Sequence, residues 1–128
     1  MLTRMTRIAL SAAAGLIGCI TESVDLTGEW RGTASLVVDG ERKEVPLRLG
    51  LRQSGAAIGG TIHWEDYSRE VTSASAHGPE VDLESVTTSD RFRLKGLFRN
   101  DAIEGRFWIQ YAADPEPYPG SFKVERVP

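Results

Sequence analysis

The sequence predicts an all-β domain, an eight-stranded antiparallel up-and-down barrel, with a two-layer antiparallel sandwich as the alternative. Between Leu26 and Val127, apolar and polar residues alternate with a period of two, the pattern of half-buried strands. No helix-length stretch in this region has apolar residues at the 3.6-residue spacing of an amphipathic helix. Turn-forming residues recur roughly every ten to fourteen positions, which is typical of short strands joined by hairpins.

The strand segments follow one another between these turns. They are Gly28 to Val38, Lys43 to Gln53, Ala57 to Trp64, Arg69 to Ala76, Glu80 to Thr87, Arg91 to Arg99, Ala102 to Tyr111 and Tyr118 to Val127. The turns carry Asp39-Gly40, Ser54-Gly55, Glu65-Asp66, Gly78-Pro79, Ser89-Asp90, Asn100-Asp101 and the proline-rich run from Asp114 to Pro117. Asp-Gly favours a tight hairpin because both central residues of a type I′ turn need a positive φ.

The register of each hairpin follows from the residues that occupy its turn. A two-residue turn at Asn100-Asp101 makes every pair on one face apolar or glycine: Phe98 with Ile103, Gly96 with Gly105, Leu94 with Phe107, and Phe92 with Ile109. The other turns pair Leu51 with Ile58, Leu49 with Gly60, Leu47 with Ile62, Trp30 with Leu49, Gly32 with Leu47, and Glu84 with Lys95. Only the segment from Arg69 to Ala76 fits neither of its adjoining turns, so we expect a bulge there.

A barrel buries the single apolar face and removes the sheet edges at the same time. Inward-facing glycines recur once in most strands, as the sharp coiling of a small barrel requires; they are Gly32, Gly60, Gly96, Gly105 and Gly120.

Gly28, Trp30 and Arg126 resemble the Gly-x-Trp motif and C-terminal arginine of the calycins, which include lipocalins, fatty-acid-binding proteins and avidins. The resemblance implies that the last strand lies beside the first and that the Arg126 guanidinium stacks on the Trp30 indole to close one end of the barrel. It does not extend to biotin binding, because Arg31, Gly32 and Thr33 follow Trp30 where avidins have polar ligand contacts.

The N-terminal segment has the three zones of a secretory signal: Arg4 and Arg7, the apolar run from Ile8 to Ile17, and small residues before Cys19. The run is too short to span a bilayer, which takes ~20 helical residues. Leu16-Ile17-Gly18-Cys19 resembles the lipobox of bacterial lipoproteins, which implies cleavage before Cys19, lipidation of its thiol and anchoring to a membrane. Plain secretion, with cleavage near Ala12-Ala13-Ala14, is the alternative.

We therefore divide the chain into a signal peptide (1–18), a lipidated cysteine with a short tether (19–25) and one barrel domain (26–128). The expected location is the cell envelope outside the cytoplasm. Ile20 stands where an aspartate would resemble an inner-membrane retention signal, so the outer membrane is favoured in a host with two membranes. Cys19 is the single cysteine, which rules out an internal disulfide. The net charge of −3 argues against nucleic acid as a partner.

Residues that would carry catalysis or bind a metal are few. His63 and Glu65 share a strand face, but a zinc site needs a third ligand, and His77 is predicted at the opposite end. No Gly-x-Ser-x-Gly turn positions a nucleophile, so a hydrolase is the least favoured of the functional hypotheses. We predict no catalytic residue, no metal and no cofactor.

The outer face carries a basic stripe formed by Arg91, Arg93, Lys95 and Arg99. It is either a patch that binds anionic lipid or another polyanion or, as we favour, a solvated face neutralised by Glu84, Asp82 and Glu104. Trp108 is expected on this face opposite Arg93, as a contact surface or as a cation–π pair.

The aromatic residues of the inner face either fill the core or line a ligand cavity. They are Trp30, Trp64, Phe92, Phe98, Phe107, Tyr111 and Phe122. The end opposite Trp30, called the mouth, carries residues 39–42, 65–68, 89–90 and 114–117. Its predicted ligand contacts are Trp64, Tyr67, Tyr111 and Tyr118. The sequence thus predicts a non-catalytic binder of a small apolar or amphipathic ligand, or alternatively a structural or protein-interaction lipoprotein with a filled barrel.

Overall fold

The computed structural model describes residues 25–114 and 116–128. They form nine strands: β1 (Gly28–Val38), β2 (Glu41–Ser54), β3 (Ala57–Trp64), β4 (Tyr67–Glu70), β5 (Ser73–His77), β6 (Glu80–Val86), β7 (Asp90–Arg99), β8 (Ala102–Tyr111) and β9 (Tyr118–Arg126). These strands make one antiparallel sheet in the order β4-β3-β2-β1-β9-β8-β7-β6-β5. The predicted all-β class is confirmed. The predicted signal peptide and Cys19 lie outside the described residues.

The first and last strands are neighbours, as the calycin resemblance implied. Trp30 pairs with Arg126, Gly32 with Val124, and Leu36 with Gly120. β1 therefore lies in the middle of the sheet, with β2 on one side and β9 on the other.

The predicted count of eight strands is wrong, because the segment from Arg69 to Ala76 forms two strands rather than one with a bulge. β4 pairs with β3, whereas β5 pairs with β6 at the opposite end of the sheet. Between them, the Val71 N–H donates to the Gly60 carbonyl at 2.9 Å and the Thr72 N–H donates to the Glu84 carbonyl at 2.8 Å. The sheet is therefore curled, and at this strand break residues 71 and 72 are hydrogen-bonded to β3 and to β6.

The break also explains why this segment fitted neither adjoining turn. The hairpin that pairs Trp64 with Tyr67 sets odd-numbered side chains of β4 on the inner face. The hairpin that pairs His77 with Glu80 sets even-numbered side chains of β5 there, including Ala74 and Ala76. Because side chains alternate with a period of two, a continuous strand cannot satisfy both hairpins.

Two predicted registers are wrong by two residues. Leu49 pairs with Ile62, and Leu51 with Gly60, because Gly55 and Ala56 form the turn instead of Ser54 and Gly55. Asp82, not Glu84, lies opposite Lys95. Here the turn spans residues 87–89, and the Thr87 hydroxyl accepts hydrogen bonds from the N–H groups of Ser89 and Asp90. The predicted pairs of β1 with β2 and of β7 with β8 are confirmed.

The inner face forms a continuous apolar core. Trp30, Leu49, Phe107 and Val124 are fully buried within it. Close strand contacts shape this interior, since a Cβ on Gly32 would overlap the Lys123 carbonyl oxygen of β9. Within residues 25–114 and 116–128, the structure has no helix long and apolar enough to cross a membrane.

Candidate functional site

The closed end is held by the three residues that resembled the calycin motif. The Arg126 guanidinium carbon lies 4.4 Å from the centroid of the Trp30 ring, so the implied stacking is present. Arg126 also donates to the carbonyls of Thr27 and Asp25, at 2.8 and 2.9 Å. Gly28, whose φ is +141°, leaves room beside this guanidinium. These contacts fasten the segment that precedes β1 and give the closed end a structural role.

The mouth brings together the four predicted contact residues. Trp64 ends β3 and Tyr67 begins β4, so a two-residue turn sets their ring centroids 6.3 Å apart. Tyr111 ends β8 and Tyr118 begins β9, and their ring centroids lie 6.1 Å apart. The ends of β3, β4, β8 and β9 thus place four aromatic side chains around one opening.

Two adjoining spaces lie between these rings. An inner cavity of about 80 Å³ is lined by Ile62, Trp64, Tyr67, Arg69, Asp90, Phe92, Ile109 and Tyr111. An outer space of about 260 Å³ is lined by Leu36, Val38, Lys43, Trp64, Glu65, Tyr67, Ile109, Tyr111 and Tyr118. Trp64, Tyr67, Ile109 and Tyr111 line both, so the two spaces adjoin and the interior is not filled at this end.

Trp64 forms the wall between the core and the mouth. It is 8% exposed, and its ring meets Phe92 edge to face with 5.4 Å between centroids. Phe92 in turn stacks on Phe107 at 5.9 Å, which ties this wall to the centre of the core. The Trp64 Nε1–H is buried and has no hydrogen-bond partner among the described residues, although buried indole N–H groups usually find one.

An ion pair that the sequence did not reveal lies at the inner cavity. Arg69 of β4 contacts Asp90 of β7 through two hydrogen bonds, Nε to Oδ1 at 3.3 Å and Nη2 to Oδ2 at 2.7 Å. The Asp90 side chain is 9% exposed and that of Arg69 is 26% exposed. The hydrogen bond from Arg69 holds the pKa of Asp90 below its ordinary value, despite the opposing effect of burial.

The Arg69–Asp90 pair bridges strands that are not neighbours in the sheet. β4 and β7 meet only because the sheet curls at the break between Glu70 and Ser73. The one available sequence signal was indirect, namely that the register of the segment around Arg69 could not be assigned. Arg69 also lies 5.4 Å from the centroid of the Tyr67 ring, measured from its guanidinium carbon.

The Tyr118 hydroxyl at the rim is held by the loop that precedes β9. Tyr118 donates to the Asp114 carboxylate at 2.7 Å, and this hydrogen bond raises the pKa of Tyr118. Burial raises the pKa of Tyr111. Both phenols are therefore neutral hydrogen-bonding groups near pH 7.

Except for Glu65, which lines the outer space, the other sequence candidates do not line the two mouth spaces. His63 pairs with Ser68, 3.2 Å from its Nδ1 to the hydroxyl oxygen, and no described set of three His, Cys, Asp or Glu residues has metal-binding geometry. The basic stripe faces carboxylates, with Arg93 on Asp82 at 2.9 Å and Arg91 on Glu84 at 3.6 Å. Trp108 is half-buried on the outer face, opposite Arg93.

Comparison with known proteins gives a likeness of fold. No family model matches the chain, and no curated protein matches it. Among solved structures, a protein of unknown function from the DUF3598 family of Nostoc punctiforme is similar, with a TM-score of 0.52 and 18% sequence identity. The match covers 80% of this chain and 48% of that one, so the chain corresponds to about half of the Nostoc protein. At this identity the likeness shows the fold alone.

Proposed function

We propose that this protein is a calycin-like barrel that is tethered to a membrane of the cell envelope and binds a small apolar or amphipathic molecule at its mouth. The observation that carries the proposal is the aromatic-lined pair of spaces at the mouth. Its walls are mostly apolar or aromatic, as in small-molecule sites, and its charged lining residues are Arg69, Asp90, Lys43 and Glu65. A completely filled interior, which the structural alternative requires, is not supported at this end. We assign the site no catalytic step.

The membrane tether rests on the sequence around Cys19. A cysteine carrying two or three acyl chains is effectively permanently anchored, because each buried CH₂ contributes about 0.8 kcal/mol. Residues 20–25 span at most ~20 Å when extended. Trp30 and Arg126 mark the end where this tether joins the barrel, so we infer that the closed end stays near the bilayer while the mouth faces away from it.

Replacing Cys19 with serine is expected to release the protein from the membrane, because serine lacks the thiol that the lipid modification requires. Fractionation of cells expressing each form measures this, and intact mass gives the acyl increment of the wild type. A Cys19→Ser protein that still sediments with membranes, beside a wild type without an acyl increment, would contradict the anchor.

Protein purified from its own host in mild detergent is expected to carry a small molecule, detectable by native mass spectrometry. Ile109→Phe places a larger side chain beside both spaces and should remove this adduct. Val37→Phe makes a comparable enlargement at a 51%-exposed site away from the two spaces and should retain the adduct. Equal adducts in both variants, or a wild type that carries none and binds no added aromatic probe, would count against a ligand site at the mouth.

A further inference from the structure

The two charged residues that line the inner cavity neutralise each other. Of the described residues lining it, Arg69 and Asp90 are the charged ones, and they carry opposite charges. All three guanidinium nitrogens of Arg69 are engaged, because Nη1 donates to the Ser68 carbonyl at 3.2 Å while Nε and Nη2 bind Asp90. Asp90 also accepts from the Thr87 hydroxyl at 3.0 Å. Neither charge is left to neutralise a ligand.

The pair also joins two strands of the cavity wall that share no backbone ladder. β4 is hydrogen-bonded to β3, and β7 is hydrogen-bonded to β6 and β8, but β4 and β7 are not paired with each other. The polar contact that the structure shows between these two strands is the Arg69–Asp90 pair. A bidentate Arg–carboxylate contact has a fixed geometry, so it holds the two strands at a set separation.

The volume of the inner cavity and the charges in its lining together restrict which ligands can bind there. An engineered apolar cavity of ~150 Å³ accommodates benzene, whereas the inner cavity measures about 80 Å³. A ring can therefore enter only in part, with its remaining atoms in the adjoining outer space. An ion in contact with this lining would lose water without gaining an opposite charge, which is costly.

Building on the proposed function, we propose that the mutual neutralisation of Arg69 and Asp90 keeps the inner cavity of the mouth site selective for uncharged, ring-sized molecules. Each partner masks the other, so removing one should convert the site into a receptor for the opposite ion. Asp90→Asn leaves the Arg69 cation to attract an anionic ligand. Arg69→Gln leaves the Asp90 carboxylate to attract a cationic one.

The test uses three aromatic probes of similar size: propylbenzene, benzoate and 2-phenylethylammonium. Binding is followed by NMR titration of the Trp64 indole N–H and the Ile109 and Tyr111 amides. The wild type should bind propylbenzene about tenfold or more tightly than either ion. Asp90→Asn should tighten benzoate binding by about tenfold, and Arg69→Gln should do the same for 2-phenylethylammonium.

Two further variants serve as controls, one that removes both charges of the pair and one that breaks an ion pair elsewhere. The double variant Arg69→Gln with Asp90→Asn removes both charges of the inner cavity and should therefore keep the wild-type preference for propylbenzene. Asp82→Asn breaks a similar bidentate pair, with Arg93, on the outer face and should leave the preference unchanged.

The outcomes separate this inference from the proposed function. If propylbenzene binds the wild type but neither single variant gains its ion, the specificity role is wrong while ligand binding stands. The specificity role is equally wrong if the double variant binds the ions as tightly as propylbenzene. If no probe binds the wild type, the proposed mouth site itself fails.

Discussion

Replacing Trp30 with alanine is expected to lower the free energy of unfolding by about 3–5 kcal/mol. The side chain is fully buried, and its Nε1 donates to the Leu26 carbonyl at 3.1 Å. Its ring meets Phe98 edge to face at 5.9 Å and also carries the Arg126 guanidinium. Alanine would leave a cavity at the closed end and would remove all three contacts. A small domain is stable by only about 5–15 kcal/mol, so this loss is a large fraction of the total.

Urea unfolding of the two proteins measures the effect, and Trp108→Ala serves as the matched control. Trp108 lies half-buried on the outer face, where truncation leaves no enclosed cavity. Its loss should be clearly smaller than that of Trp30. A Trp30→Ala protein destabilised by less than about 1 kcal/mol would show that the closed end does not depend on this residue.

Replacing Gly32 with alanine is expected to cost at least about 3 kcal/mol, a loss at the upper end of single substitutions. The new Cβ would overlap the Lys123 carbonyl oxygen and crowd the Val124 Cα of β9. These are backbone atoms, which move only if the ladder between β1 and β9 opens. The cost therefore comes from steric overlap and lost strand pairing, not from backbone strain at Gly32 itself.

Gly50→Ala is the control for Gly32→Ala. Gly50 lies on the neighbouring strand β2, and a Cβ there would meet no heavy atom within 4 Å. The same chemical change at this site should be nearly neutral or slightly stabilising, by up to ~1 kcal/mol. Thermal or urea unfolding distinguishes the two. Similar stabilities for the two variants would mean that β1 and β9 do not approach each other as closely at Gly32 as described.

Periodicity was sufficient to predict the inner face but not the register of every hairpin. Side chains alternate with a period of two, so a shift of two residues leaves each side chain on its original face. The pattern cannot distinguish Leu49 opposite Gly60 from Leu49 opposite Ile62, the pair that the structure shows. Turn chemistry decides between such registers, and Ser54-Gly55-Ala56 offered two turns with similar composition.

The sequence was sufficient to predict the part of the candidate site formed by residues at strand ends. It was not sufficient to predict the part that forms only because the sheet curls. Trp64, Tyr67, Tyr111 and Tyr118 stand beside turns at one end, so hairpin topology alone placed them together. The Arg69–Asp90 pair joins strands that share no ladder, and no local pattern encodes such a contact. The parity conflict marked the segment around Arg69 as irregular without indicating its partner.

The central position of β1 has a consequence for the unfolded chain. β2 follows β1 at once and can pair with it early, but the second edge of β1 waits for β9, whose first residue comes 80 positions after Val38. Until β9 pairs, β1 offers an unpaired edge beside exposed apolar residues, a template for joining the wrong chain. The pairing of β1 with β9 must close this long loop, so protection of the β1 edge before β9 arrives should govern how much chain reaches the native state.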